Sequence, residues 1–169
     1  MKKNRFVRRC LAFFLVAVLP SGIIISCKEK NEDIVKRKTI TEVIIENERF
    51  SILEDIMIHA GMNDALRTGE LTFFAPDNSA FGRANIFSSS VITSLPADSA
   101  RKLINSHIIG KERIDYSSLK EGKKKTIRGN EVSLTKTDSV FAVNRADIIL
   151  PDISAANGVI HIIDSLIVR

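Results

Sequence analysis

Helix signals crowd the first half of this chain and strand signals the second, which predicts an α+β fold. Three observations carry the prediction. Phe50, Leu53, Met57 and Ala60 recur at three- and four-residue steps, the spacing of one apolar helix face. Short β-branched runs on either side of Gly129-Asn130 read as a hairpin. The run Val159 to Val168 is apolar on both alternating faces except at His161, Asp164 and Ser165, as expected of an interior strand covered on two sides.

Residues 1–26 are set apart from the fold as a leader. Lys2, Lys3, Arg5, Arg8 and Arg9 make a basic start, and Leu11 to Leu19 follow as an apolar stretch short for a bilayer. A transmembrane anchor from Cys10 to Ile25 is the alternative, and Pro20, Ser21 and Gly22 argue against it. Removing the leader leaves 143 residues, the size of one domain. It also removes the apparent basicity, because the five leader cations account for the whole formal charge of +5. A neutral mature chain gives no support to nucleic-acid binding. Cys10 leaves with the leader and Cys27 remains alone, so no disulfide is expected.

Lys28 to Lys38 is charged and glycine-free, with Ile34 and Val35 its only apolar residues, and reads as a solvated tether reaching roughly 35–40 Å when extended. The folded domain is expected over residues 39–169. Thr39-Ile40-Thr41-Glu42 and Ser51-Ile52-Leu53-Glu54 both match the capping box, so two helices open it. Gly61 is placed to cap the second, and Met62 to Leu66 adds a helical turn. Leu71 to Phe74 is a short strand broken by Pro76, after which Asp77 or Asn78 caps the next helix. Asn85 to Leu95 lacks a clean period and reads as loop with short helical pieces. Pro96 to Ser106 is a helix with Ala100, Leu103, Ile104 and His107 on one face. Beyond Gly110 come the strands: Thr126 to Arg128 and Glu131 to Leu134 about the Gly129-Asn130 turn, then Val140 to Val143 and Asp147 to Leu150.

Two segments resemble the signature motifs of the fasciclin domain family: Thr72-Phe73-Phe74-Ala75-Pro76-Asp77-Asn78-Ser79-Ala80-Phe81 and Ala155-Ala156-Asn157-Gly158-Val159-Ile160-His161-Ile162-Ile163-Asp164. Between them Leu103 to Ile109 resembles the family's middle box, with His107 matching and Ser106 standing where tyrosine is usual. The resemblance runs from about Thr39 to the last residue. It implies a compact wedge of two β-sheets with several helices beside it, and adhesion rather than catalysis. Ile24-Ile25-Ser26-Cys27 separately resembles a bacterial lipobox, which implies diacylglyceryl (palmitate-type) attachment at Cys27 and a stable membrane anchor once two or three chains are present.

The polar residues each admit two readings. In the family resemblance His107 is a partner-contact residue, while its isoleucine neighbours favour a half-buried ring that braces the fold by hydrogen-bonding the Asp77-Asn78 turn. Asp77 and Asn78 are either helix caps or half of an acid-base pair completed by Asp164 or His161, and capping needs fewer assumptions. Lys120, Lys123, Lys124, Lys125 and Arg128 form the densest positive cluster, read as a solvated loop protecting an edge strand or as a contact for an anionic glycan or headgroup. No catalytic residue, metal ligand set or cofactor is assigned, since no nucleophile, base and orienter come together and His59, His107 and His161 lack ligand spacing.

These readings converge on a lipid-anchored module of the cell envelope that displays its domain to a protein or polysaccharide partner. The charged residues after Cys27 resemble outward-sorting signals of Bacteroides-group lipoproteins, which places the domain on the outer membrane facing outward. An accessory glycan-binding lipoprotein is the alternative, although tryptophan is absent and Tyr116 is the only tyrosine to serve as a sugar platform. A small envelope hydrolase is the alternative of another class, and it lacks a catalytic constellation.

Overall fold

The computed structural model describes residues 36–167. The leader, Cys27 and most of the expected tether lie outside the described residues, as do Val168 and Arg169. Five α-helices, α1 (Ile40–Ile45), α2 (Ser51–His59), α3 (Asn78–Arg83), α4 (Ser90–Thr93) and α5 (Ala97–Asn105), all precede the second strand. The strands are β1 (Leu71–Pro76), β2 (Ile108–Gly110), β3 (Gly122–Lys125), β4 (Glu131–Thr137), β5 (Val140–Val143), β6 (Ala146–Ala155) and β7 (Gly158–Ile163). The protein is therefore α+β, with its α-helices mainly ahead of its strands.

The first capping box forms in full: Thr39 N–H donates to the Glu42 carboxylate at 2.8 Å, and Glu42 N–H returns a bond to the Thr39 hydroxyl. The second does not. A 3-10 turn over Glu48–Phe50 leads directly into α2, so Ser51 is already helical (φ −56°, ψ −37°) and lacks the extended geometry a cap needs. At its other end α2 stops on Gly61 at φ +63°, with Met62 N–H reaching the Met57 carbonyl and Gly61 N–H the Ile58 carbonyl, the paired bonds of a glycine-terminated helix.

The strands run in the order β2-β1-β7-β6-β5-β4-β3. The expected two sheets meet on one strand, β6, which pairs with β5 through Ala146 and Asp147 and with β7 from Ile148 to Ala155. Bulges interrupt β6 on either side of Leu150, and they absorb Pro151, which has no N–H for a ladder. Only β1 and β7 lie parallel.

Several strand boundaries differ from the sequence reading: β4 continues to Thr137, and β6 spans Ala146–Ala155 rather than Asp147 to Leu150. β1 runs on through Pro76, because β2 ends opposite Phe73 and no partner on that side requires the missing donor. The first strand of the Gly129-Asn130 hairpin is Gly122–Lys125 rather than Thr126 to Arg128, so the lysine run expected in a loop is itself the edge strand. Thr126 to Arg128 instead turns back toward β2, where Ile127 N–H donates to the Ile108 carbonyl (2.8 Å) and Arg128 N–H to that of Asn105 (3.2 Å). The loop thus covers the edge at one end of the strand order with residues that leave the strand at the other. Finally, β7 stops at Ile163, where Asp164 bends the chain and its carboxylate takes Asp147 N–H.

Burial on both faces of β1 and β7 divides the interior in two. Phe73, Ala75, Ile160 and Ile162 join Phe50, Leu53, Met57, Phe81 and Ile104 in a core under the helices. Phe74 and Ile163 point the other way, toward Val132, Leu134, Phe141, Val143 and Ile148 of the hairpin strands. Each fully buried large side chain contributes about 1.5–3 kcal/mol, well above any single cap.

The join between the two halves of the sequence is tightest at Gly158. A Cβ at this position would stand 2.1 Å from the backbone oxygen of Leu71, with which Gly158 pairs. Asn157, immediately before it, accepts Ile40 N–H at the start of α1, donates to the Leu66 carbonyl and offers its own carbonyl to Leu71 N–H. Gly158→Ala is expected to lower the free energy of unfolding by about 3 kcal/mol or more, read from urea denaturation of the purified chain. An unchanged midpoint would refute so close an approach of β1 and β7.

Candidate functional site

Asp77 and Asn78 stand at the corner where β1 passes into α3. Asp77 is buried; one carboxylate oxygen caps α3 by accepting Ala80 N–H (2.9 Å) and the other meets the Arg49 guanidinium (3.1 Å). Asn78 reaches back to a different helix. Its Oδ1 accepts Ile52 N–H (3.1 Å), and its Nδ2 donates to the Glu48 carbonyl and the Ser51 hydroxyl (3.0 Å each). The missing cap of α2 is therefore supplied across the fold. Asp164 leaves the neighbouring strand at the same end, where Asp147 N–H and Arg83 occupy its carboxylate. These bonds commit both aspartates to backbone N–H groups and guanidinium partners.

His107 is buried, and none of its ring bonds goes to Asp77 or Asn78. Ile167 N–H donates to Nε2 (2.9 Å), so the proton sits on Nδ1 and is donated to the Leu103 carbonyl (2.8 Å). The ring ties the end of α5 to the C-terminal segment. Ser106 beside it is buried and donates to the same carbonyl at 2.6 Å. Burial holds the His107 pKa down at about 4 against the weaker opposing pull of its bond to Leu103.

His161 follows the same logic on β7. Its Nδ1 accepts Asp152 N–H from the β6 bulge, and its Nε2–H donates to the Ile114 carbonyl (2.8 Å), while the ring stacks on Phe74 with centroids 5.6 Å apart. Burial lowers its pKa as well, outweighing that bond and the nearby Asp152 carboxylate. Thr72, buried on β1, holds the same crossing segment by donating to the Glu112 carbonyl and accepting Ile114 N–H. The polar residues of the two motifs thus brace backbone, as do His107 and Ser106 in the middle box.

The basic cluster remains on the surface but is divided. Alternation along β3 sends Lys123 and Lys125 to one face and Lys124 to the other, where Lys124 pairs with Glu112 at 2.8 Å. Lys120 and Arg128 are exposed on either side of the strand. On the face of Lys123 and Lys125 lie two adjoining depressions that share Ser133 and Asn144. One, of about 550 Å³, is lined by Lys123, Lys125, Asn130 and Glu131, and the other, of about 700 Å³, by Thr135, Arg145 and Ser165. Arg145 and its neighbours escaped the sequence reading because they belong to the turn between β5 and β6. Asn144 and Arg145 both take positive φ there, which only the strand pairing makes visible.

Two outcomes follow from these bonds. Between pH 6.5 and 4 the unfolded chain binds protons at His107 that the native state refuses, so stability falls as pH drops through this window, by about 3 kcal/mol in total from His107. His161 acts in the same direction. Thermal melts from pH 7.5 to 4 are expected to show this slope, and His107→Gln to reduce it; equal slopes would remove His107 as the cause. Asn78→Ala, which strands the start of α2, is expected to cost about 1–3 kcal/mol by chemical denaturation, and an unaltered midpoint would count against the clamp.

The geometry agrees with what the chain is similar to. The model of the fasciclin domain matches residues 48–169. Protein sll1483 of a Synechocystis strain is 32% identical over 76% of this chain and 72% of its own length. The immunogenic protein MPB70 of Mycobacterium bovis is 27% identical over 62% of this chain and 52% of itself. The transforming growth factor-beta-induced protein ig-h3 of Sus scrofa is 28% identical over 76% of this chain and 19% of its own length. Among solved structures, the fasciclin-domain pair of the insect cell adhesion molecule fasciclin I superposes with a TM-score of 0.66 at 16% identity, over 80% of this chain and 52% of that one. This chain belongs to the fasciclin domain family.

Proposed function

We propose that this protein is a lipid-anchored interaction module of the cell envelope, carried on the outer membrane by Cys27 and displaying its fasciclin domain outward to a protein or polysaccharide partner. The observation that carries this reading is the division of labour among its polar groups. Motif side chains that catalysis would need are buried and hydrogen-bonded to backbone, whereas the open face of β3 and β4 presents exposed polar groups around two adjoining depressions. Such a domain acts by presenting surface. Its descent from a family that includes an insect cell adhesion molecule supports the same view.

The point of entry into the domain suits display. Lys38, the last residue of the tether, accepts Ala156 N–H (2.7 Å) next to the far end of β6, while Ala146 at the near end borders the larger depression. In cells making the full chain, the protein is expected to partition into the detergent phase, to incorporate labelled palmitate and to be shaved from intact cells by protease. Cys27→Ala is expected to move it to the aqueous phase unlabelled. Unaltered partition and labelling of that variant would overturn the anchor.

A further inference from the structure

Resting on that reading, we infer that the paired depressions on the open face of β3 and β4 form a binding groove for an acidic polysaccharide, with Lys125 and Arg145 as the residues that select its charge. The groove is built on two strands in register, β3 and β4, with the β5–β6 turn beside them. Lys123 lies opposite Ser133 and Lys125 opposite Glu131, so these four side chains rise from the same side of the β3–β4 ladder, and Thr135 continues the row along β4. The turn after β5 adds Asn144 and Arg145, and Ser165 closes the far end.

The charge balance of the lining favours an anion. Glu131 is the sole carboxylate among the lining residues, and it lies 3.5 Å from Lys123. Lys125 and Arg145 have no carboxylate partner among the described residues. Both are exposed and sit in different depressions, one at each end of the shared Ser133-Asn144 floor. Two separated cations joined by a floor of hydroxyl and amide groups match a ligand with repeated negative charges and many hydroxyls between them. The combined space exceeds what one sugar ring needs, so the fit is to a chain segment.

The chemistry of the floor distinguishes that ligand from an acidic protein. Protein interfaces draw their energy from aromatic and large aliphatic anchors in desolvated pockets. Here the only large aliphatic contributors are Val132, which is buried in the core, and Leu166 at the margin. The groove also lies apart from the point where the tether enters: Lys38 docks beside Ala155 and the groove begins at Ala146, nine residues of strand away, which is roughly 25–30 Å. A lipid headgroup shares the charge chemistry of an acidic sugar, and competition separates the two.

The test uses the full chain purified in nonionic detergent and passed over immobilised polygalacturonate, with dextran as the neutral matrix. Retention on polygalacturonate but not dextran is expected, weakening as salt is added. The double variant Lys125→Glu with Arg145→Glu is expected to bind about tenfold or more weakly, while Lys102→Glu, a surface change on α5, leaves retention intact. Unchanged thermal melting of the double variant separates lost contact from lost fold. Elution by oligogalacturonate at lower concentration than glycerol phosphate supports the polysaccharide; the reverse order assigns the groove to lipid headgroups and overturns it. Equal retention of the double variant, retention on dextran, or no retention at all also overturns it. Because the assay is carried out in solution, it stands or falls independently of Cys27 labelling, which tests the anchor alone.

Discussion

The structure depends on one close approach, that of β7 to β1 where Gly158 meets the Leu71 backbone. The two strands come from opposite ends of the domain and lie parallel, so no hairpin holds them together, and their alignment rests on side-chain and turn chemistry instead. Asn157 supplies it by binding α1, the loop at Leu66 and β1 at once. With that corner fixed, Thr72 and His161 find the crossing segment near Ile114, and His107 finds the C-terminal segment at Ile167. Each bond joins residues distant in sequence, which makes the fold one of non-local contacts whose assembly must wait for the last strand.

The described residues contain no cysteine, so the core and the internal hydrogen bonds hold this fold without a disulfide. Polar side chains at the layer boundaries therefore serve structure, because a backbone donor buried between a sheet and its helices must be satisfied or it costs about 1–3 kcal/mol. Asp77, Asn78, His107, Asn157 and His161 all answer such donors or acceptors. This is the physical content of the family motifs in this protein. They specify a frame, and they leave Lys125 and Arg145 on the face of β3 and β4 without an ion-pair partner among the described residues.

Much of that frame was legible in the sequence. Local grammar was read correctly wherever it was self-contained: the Thr39 capping box, the Gly61 stop, the Asp77 cap, the helix after Pro96 and the buried run after Gly158. Most of what escaped depended on a partner elsewhere in the chain, and Ser51 is the local exception. Ser51 looked like a cap, but the preceding turn had already set its backbone. Three lysines looked like loop, yet pairing with β4 makes them a strand, because an exposed edge tolerates charge that a central strand would not. The bond partners of His107 were hidden for the same reason, since nothing near it in sequence announces Ile167.

The same distinction explains why the candidate binding face was harder to read than the fold. Burial imposes periodicity, and periodicity can be seen in one dimension; a solvent-facing groove imposes none. Glu131, Ser133 and Thr135 alternate with Val132 and Leu134, so the sequence shows that β4 has a polar side but not which cations overlook it. Those arrive from β3 through the Gly129-Asn130 hairpin and from the β5–β6 turn, and register alone brings Lys125 and Arg145 to one surface. Counting basic residues along the chain groups Lys124 with Lys125, whereas the pleat parts them and gives Lys124 to Glu112. The surface proposed to bind is thus a product of strand pairing, which brings together residues far apart in sequence.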